Sequence, residues 1–237
     1  MCLSPYRIDT QTGSPWLDAW CGPAGTVERR NLGLVTISPL STSAPVVLIG
    51  PLAAGKTSVA TVLSHLLNGS VCSVDDLRWK YLNRIGYDHA EAERRFAVGQ
   101  TPAEKLAYRE PFEVQVVEQV MAAKSYEVID FGASNSVYED PGLLVRVRTA
   151  LLGAYVVLLL PSEDPEESER VLAARLHSIL HAKGERVSDE LLALNAYFIR
   201  HAANRQLADS VSYTSALRPA DIANEIVSSL HALRQRP

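Results

Sequence analysis

One short motif constrains the fold of this chain more than any other feature of its 237 residues. The stretch GPLAAGKT, residues 50–57, follows the apolar run PVVLI and precedes a segment with helical periodicity. It matches G-x-x-x-x-G-K-[ST], the Walker A pattern, in which a loop joins a strand to a helix and its backbone N–H groups surround phosphate oxygens. The sequence therefore predicts a nucleotide phosphate site in an α/β fold.

Each part of this motif has a physical task. Gly50 and Gly55 permit backbone conformations that point consecutive N–H groups at a phosphate, and the helix that begins near Lys56 adds its N-terminal dipole. Lys56 can reach the β- and γ-phosphates, and the Thr57 hydroxyl is a ligand for Mg²⁺. The predicted nucleotide contacts are Gly50, Pro51, Leu52, Ala53, Ala54, Gly55, Lys56, Thr57 and Ser58.

Strand-like apolar runs alternate with longer helical patterns from residue 45 onward. Continuous runs such as AYVVLLL are typical of strands that are buried on both faces of a parallel sheet. Alternation of this kind indicates a three-layer αβα domain, which we assign to residues 45–237. The predicted strands are 45–49, 70–74, 127–131, 154–160 and 210–213, and the predicted helices include 56–67, 104–124, 165–180, 189–206 and 219–233.

Residues 1–44 differ in composition from the rest of the chain. They contain Pro5, Pro15, Pro23 and Pro39 together with many Ser, Thr and Gly residues, and they show no sustained apolar period. Such a segment buries too little apolar surface to offset the entropy lost on ordering. We therefore expect a flexible extension in front of the domain.

The net charge and the cysteine content indicate which binding partners and which cellular compartment to expect for this protein. The net charge of −4 gives no support to a basic nucleic-acid surface. Cys2, Cys21 and Cys72 are widely spaced, which favours a reducing compartment over a disulfide framework or a zinc knuckle. No apolar run approaches the ~20 residues of a membrane span, and the first residues lack the pattern of a signal peptide. We expect a cytoplasmic monomer or homodimer without nucleic-acid or membrane partners.

Two carboxylates follow the second predicted strand, in the sequence SVDDLR. Side chains at the C-terminal end of a strand beside a phosphate loop lie in the crevice where open α/β sheets bind ligands. Asp75 or Asp76 could accept a proton from an attacking hydroxyl, or position Mg²⁺ through water. The alternative role is that of a helix N-cap. Asp76 is well placed to cap the helix, so we predict Asp75 as the catalytic group.

The third predicted strand, VIDF, runs into the small residues GAS. Apolar residues followed by Asp form the pattern of a Walker B strand, whose carboxylate serves the Mg²⁺ hydration shell. We therefore predict Asp130, together with Thr57, as the metal-binding pair. Gly132 and Ala133 form a turn where a substrate can approach the backbone closely.

Arginines and a polar segment complete the set of candidate residues. Arginine side chains bind anionic substrates and stabilise a transferred phosphoryl group. Residues 177–189, HSILHAKGERVSD, have the polar, glycine-interrupted character of a mobile lid over the nucleotide. The candidate arginines are Arg78, Arg109, Arg175, Arg186, Arg200 and Arg205.

These motifs, in the order GPLAAGKT, SVDDLR, AYREPFE, VIDFGAS, VVLLLP and RHAANRQLADSVSYT, resemble the shikimate kinase branch of the P-loop small-molecule kinases. The resemblance covers residues 45–233. It implies a P-loop NTPase fold with five parallel strands in the order 2-3-1-4-5. It also implies ATP and Mg²⁺ as cofactors and a small-molecule acceptor. No N-K-x-D motif for guanine is present, which favours ATP over GTP.

The resemblance also implies residues that bind the acceptor. Asp75 matches the family's acceptor-contacting aspartate, Arg109 its F-R arginine, and Arg200 the arginine of its late R-x-P-L-Y segment. Gly132 and Ala133 match its glycine-rich turn. Asp75-Asp76-Leu77-Arg78 also resembles the D-x-x-R of adenylylsulfate kinases, zeta toxins and chloramphenicol phosphotransferases, which adds Arg78 to the predicted acceptor contacts.

The sequence departs from the family at three places on the acceptor side. Ser73 stands where the family has the first Asp of D-x-D. Only the first of its three glycines is kept, followed here by Ala133 and Ser134. The late segment lacks the Pro and Tyr. The phosphate side is intact, whereas residues that define shikimate specificity are partly replaced.

We therefore expect a Mg²⁺–ATP-dependent kinase that phosphorylates a hydroxyl of shikimate or a similar metabolite. Its predicted catalytic residues are Lys56, Asp75 and Asp130. Two alternatives remain open from the residues alone. One is a nucleoside or nucleotide kinase or an antibiotic phosphotransferase, and the other is a nucleotide-binding regulatory ATPase that phosphorylates no metabolite.

Overall fold

Five strands alternate with helices along residues 44–234, the part of the chain that the computed structural model describes. Residues 1–43, most of the predicted extension, lie outside the described residues. The strands are β1 (Val46–Ile49), β2 (Val71–Ser73), β3 (Val128–Asp130), β4 (Tyr155–Leu160) and β5 (Ser210–Tyr213). The helices are α1 (Lys56–Leu66), α2 (Val74–Leu82), α3 (His89–Val98), α4 (Pro102–Ala107), α5 (Glu110–Ala123), α6 (Pro141–Ala150), α7 (Pro165–Ala182), α8 (Asp189–Arg200), α9 (Ala202–Leu207) and α10 (Pro219–Arg234), with a 3₁₀ turn at Ala133–Ser136.

The strands form one parallel sheet in the order β2-β3-β1-β4-β5. This order confirms the predicted fold class. In the register of the sheet, Asp130 lies opposite both Leu48 of β1 and Ser73 of β2. The carboxyl ends of β1, β2 and β3 therefore meet at one edge, and the loops that follow them face the same crevice.

Each face of the sheet carries its own apolar layer. Because successive side chains of a strand point to opposite faces, Val46 and Leu48 pack with α1 and α10, whereas Val47 and Ile49 pack in a second cluster with α5 and α7. All six residues of β4 are buried. Full burial of a Val or Leu side chain stabilises the fold by about 1.5–3 kcal/mol. Both layers thus fix the strand ends that carry the candidate site.

The structure corrects several predicted helices. The helix predicted at 104–124 is broken between α4 and α5, where Pro111 has no N–H to continue the helical bonding. The helix predicted at 189–206 is broken at His201, whose backbone is extended and whose side chain accepts a hydrogen bond from Ala203 N. Helices α3 and α6 were not predicted. The strands agree with the predictions to within a residue at each end.

The break between α4 and α5 matters for the site, because it places Arg109 at the N-terminus of α5 in a buried position.

Within residues 44–234, no helix combines the length and the apolar character needed to cross a bilayer.

Candidate active site

The loop between β1 and α1 depends on glycine at its two ends. Gly50 has φ 139° and Gly55 has φ 97°, both in the region that side-chain-bearing residues rarely adopt. A Cβ on Gly50 would lie 2.5 Å from the carbonyl oxygen of Leu159 in β4. Ala53 also has a left-handed backbone conformation, with φ 60°, although it is not a glycine. These conformations give the loop its curved path in front of α1.

Lys56 begins α1 and turns its side chain back into the loop. Its Nζ donates hydrogen bonds to the carbonyl oxygens of Gly50 and Pro51, each at 2.9 Å. Burial lowers the pKa of Lys56, and the charges of Asp130 and Asp75 oppose this effect. The ammonium group is thus enclosed by the loop, where phosphate charge would be stabilised most.

Thr57 and Asp130 are in direct contact, as expected of a metal-binding pair. The Thr57 hydroxyl donates to Asp130 Oδ2 at 2.6 Å. Burial raises the pKa of Asp130 to about 6, although Lys56 and the bond from Thr57 oppose the shift. Residues 44–234 contain no group of three or more metal-ligating side chains. Mg²⁺ bound with nucleotide phosphates needs only one or two protein oxygens, so this pair fits it.

Helix α2 starts immediately after β2, and Ser73 is its N-cap. The Ser73 hydroxyl accepts a hydrogen bond from Asp76 N at 3.3 Å. The prediction that Asp76 caps the helix is therefore wrong, because the helix begins earlier and places Asp75 and Asp76 in its first turn. Carboxylates are favoured there by the helix dipole. The Ser73 side chain is thus a capping group at the start of α2.

Asp75 is enclosed on one side and open on the other. Its Oδ1 lies 3.2 Å from Nη1 of the buried Arg78, and 26% of its side chain is exposed. Burial raises the pKa of Asp75, while Arg78 and Lys56 lower it. A Cβ on Gly132 would lie only 2.3 Å from Asp75 Oδ1. The Asp75 carboxylate can therefore occupy this position only because residue 132 is a glycine.

A buried charge network lies beside Asp75. Arg109 Nη2 donates to Glu113 Oε1 at 2.7 Å, and Ser134 Oγ donates to the same oxygen at 2.9 Å. Burial lowers the pKa of Arg109, but Glu113, Tyr87 and Asp75 together raise it above its ordinary value. The departure from glycine at Ser134 therefore has a structural role, since its hydroxyl binds the partner of Arg109.

Aromatic side chains form a wall next to this network. Tyr87 packs edge-on against His89 and Phe112, with ring centroids 5.1 and 5.2 Å apart, and tilted against Tyr108 at 5.7 Å. Trp79 of α2 lies 4.6 Å from His89. The wall therefore combines side chains from α2, from the segment before α3, from the start of α3, from the break between α4 and α5, and from α5 itself.

The structure brings most of the predicted site residues to one region. Lys56, Asp75 and Asp130 lie close enough for their charges to shift one another's pKa. Ala133 is buried in the 3₁₀ turn after Gly132. Arg200 is different, because its Nε pairs with Glu169 Oε1 of α7 at 2.6 Å and its side chain is half exposed.

Two side chains from α7 and α8 reach the phosphate loop. Leu52 N donates to Asn195 Oδ1 at 2.8 Å, and Asn195 Nδ2 donates to Leu52 O at 3.4 Å. Arg175 Nη1 donates to the carbonyl oxygen of Ala53 at 3.3 Å and lies 3.4 Å from Thr214 Oγ1. Sequence reasoning missed Asn195, since no motif marks it, and named Arg175 only as one of several candidate arginines.

Most of the segment predicted as a lid is helical in the structure. Helix α7 continues through Ala182, and a turn with Gly184 at φ 78° leads to α8. Its role as a mobile lid stays a prediction.

No family model matches the sequence, and no curated protein does either. The structure is similar to that of a shikimate kinase from Acinetobacter baumannii in complex with shikimate, with a TM-score of 0.53 and 17% identity over 82% of this chain and 97% of that one. A gluconokinase from Sinorhizobium meliloti 1021 gives a TM-score of 0.52 and 18% identity over 81% and 94%. At such low identity the likeness shows the fold, which is the shikimate kinase-like P-loop fold.

Proposed function

We propose that this chain is an ATP-dependent kinase that transfers the γ-phosphoryl group to a hydroxyl of a small metabolite. The observation that carries the proposal is the position of Asp75, whose carboxylate is coupled electrostatically to Lys56 at the edge of the sheet that bears the phosphate loop. Nucleotide binding alone requires no such carboxylate, whereas transfer to a hydroxyl requires a group that orients it and accepts its proton.

The phosphate side is assigned to the loop and the residues that follow it. The N–H groups of residues 50–58 and the Lys56 ammonium bind the phosphates of ATP. Thr57 and Asp130 would hold Mg²⁺, which when bound neutralises phosphate charge. Arg175 is our choice for the lid-side arginine, because its guanidinium already contacts the loop at Ala53.

The acceptor side is assigned to the carboxylate and the two buried arginines. Asp75 accepts the proton of the attacking hydroxyl, and the upward shift of its pKa brings it closer to the range in which a general base works at neutral pH. Arg78 and Arg109 supply positive charge for an anionic or polar group of the acceptor. Arg200 is left out, because it lies in an exposed pair with Glu169.

We further propose a shikimate-like hydroxy acid as the acceptor. Support comes from the order of the motifs and from the fold shared with a shikimate kinase and a gluconokinase. The charges of Arg78 and Arg109 fit a carboxylate on such a molecule.

The test is an acceptor screen that measures ADP formation from ATP. Shikimate, D-gluconate, nucleosides and chloramphenicol are offered one at a time. We expect at least one hydroxy acid to raise ADP formation. The variant Asp75→Asn should bind ATP normally and lose this stimulation, whereas Asp76→Asn, at the exposed neighbouring carboxylate, should keep it. ADP formation that no acceptor changes would indicate an ATPase and contradict the proposal.

A further inference from the structure

The C-terminal half of the turn after β3 is held by hydrogen bonds to residues outside the turn. The Tyr138 hydroxyl donates to the backbone carbonyl of Asn135 at 2.9 Å. Ser136 Oγ donates to Asn204 Oδ1 at 2.6 Å, and Asn204 in turn donates to the carbonyl of Phe198. The 3₁₀ turn at 133–136 is buried throughout. Its backbone is therefore fixed by partners on other elements.

One polar side chain in this turn is not used by the fold. Ser134 and Ser136 each have a buried hydrogen-bond partner. Asn135 is only 1% exposed, yet neither its Oδ1 nor its Nδ2 has a hydrogen-bond partner among residues 44–234. Leaving a buried amide unpaired destabilises a protein, so such groups are rare unless water or a ligand binds them.

The position of this amide points to the acceptor. A Cβ on Gly132 would lie 2.8 Å from Asn135 Oδ1 and 2.3 Å from Asp75 Oδ1, so both oxygens border the same side of that glycine. No hydrogen bond joins the amide to the carboxylate, because the Asn135 amide has no partner among the described residues. Asn135 is thus a neighbour of Asp75 without being held by it.

We propose that Asn135 binds the acceptor directly, through a second hydroxyl next to the one that Asp75 activates. The amide offers a donor and an acceptor, which matches a hydroxyl that both donates and accepts, whereas an ionised carboxylate only accepts. Two such groups side by side match two adjacent hydroxyls. The acceptor is therefore a vicinal diol, and this inference rests on the proposed kinase function.

The experiment compares Asn135→Ala with the unchanged chain on paired acceptors. Shikimate and D-gluconate are each tested against the analogue that lacks a hydroxyl adjacent to the phosphorylated one, with kcat/KM, the KM for ATP and Tm as readouts. Loss of one neutral hydrogen bond should lower kcat/KM for the diols by about ten-fold. For the analogues that lack the adjacent hydroxyl, kcat/KM should change by less than about two-fold, and so should the KM for ATP. Tm should not fall, because the amide makes no bond within the fold.

A matched variant separates binding from structure. Ser136→Ala removes a buried hydrogen bond of the same turn and should lower Tm, while leaving the preference for vicinal diols over the analogues that lack the adjacent hydroxyl unchanged. An equal loss on both kinds of acceptor, or a lower Tm for Asn135→Ala, would overturn the role of Asn135. Transfer only to the analogues that lack the adjacent hydroxyl would overturn the acceptor class but keep the kinase function. No transfer to any acceptor, with ATP still bound, would overturn both proposals.

Discussion

The two sides of the candidate site are built in opposite ways. The phosphate side is a continuous stretch, residues 50–58, in which backbone N–H groups and one lysine are the proposed nucleotide contacts and two glycines shape the loop. The acceptor side is assembled from side chains on separate elements, with Asp75 and Arg78 on α2, Arg109 at the start of α5, and Asn135 in the turn after β3. In the proposed function, a local motif therefore specifies the nucleotide, whereas side chains brought together by long-range packing specify the acceptor.

The energetics of the two sides differ for the same reason. The phosphate loop is partly exposed at Leu52, Ala53 and Gly55, and its backbone conformation depends on glycine at residues 50 and 55. The acceptor side buries charged groups, which are tolerated only when paired and hydrogen-bonded. Changes on the first side should therefore affect nucleotide use alone. Changes to the buried ion pairs of the second side should affect the acceptor and the stability of the fold together.

The largest effect should come from Lys56→Ala. Removing the enclosed ammonium leaves phosphate charge without its main counterion, so we expect kcat to fall by about 1,000-fold. Isothermal titration with ATP and steady-state kinetics measure the change, and Tm without nucleotide should not fall. Turnover near that of the unchanged chain would contradict the assignment of the loop.

Gly132→Ala should damage the acceptor side and spare the nucleotide. The new Cβ would lie 2.3 Å from Asp75 Oδ1, so the carboxylate must move. A displacement of about 1 Å from the productive position costs about 100-fold in rate, and the affinity for ATP should stay the same.

Gly142→Ala is the matched control. There the new Cβ meets only Asp140 Oδ1, at 3.0 Å, in the first turn of α6. Its kinetics should match those of the unchanged chain. A similar loss of rate in both variants would show that Gly132 has no special relation to Asp75.

Two variants on α5, Glu113→Ala and Glu118→Ala, compare the contributions of a buried and an exposed ion pair to the free energy of unfolding. Glu113→Ala removes one buried carboxylate that accepts hydrogen bonds from both Arg109 and Ser134, and breaking a buried pair destabilises a protein by about 3–5 kcal/mol. Glu118→Ala removes the surface pair with Arg146 and should cost less than about 1 kcal/mol. Chemical denaturation measures both. Equal losses would contradict the view that the acceptor side depends on buried charge.

Arg200→Ala should have the smallest effect. Its pair with Glu169 is half exposed, and such pairs contribute about 0–1 kcal/mol. We expect no change in the KM of the acceptor. If the KM of the acceptor rose ten-fold or more, which is about the loss expected for one hydrogen bond to a charged group, Arg200 would contact the acceptor as the sequence predicted.

The sequence predicted what depends on contiguous residues. The phosphate loop and the contact between Thr57 and Asp130 follow from sequence motifs, and the parallel sheet follows from the continuous apolar runs, whereas the strand order was implied by the resemblance to the shikimate kinase branch. The N-cap of α2 was assigned to Asp76 instead of Ser73, because the end of β2 was placed one residue too late. Element ends depend on local hydrogen bonds that a pattern of apolar residues does not specify.

What could not be predicted depends on contacts between distant residues. Asn195 lies 143 positions from Leu52, and no spacing rule relates an amide on α8 to a loop after β1. Asn135 becomes a candidate only when its burial and its unbonded amide are known. The break that places Arg109 beside Glu113 is marked by Pro111, but the predicted helix was continued through this proline.

The most direct test follows the γ-phosphoryl group itself. ATP labelled with ¹⁸O on the γ-phosphate is incubated with the acceptors that raise ADP formation, and mass spectrometry locates the label. We predict labelled phosphate on a hydroxyl of the acceptor with the unchanged chain, and none with Asp75→Asn even though that variant still binds ATP. Label found only in inorganic phosphate, with every acceptor offered, would contradict the kinase assignment.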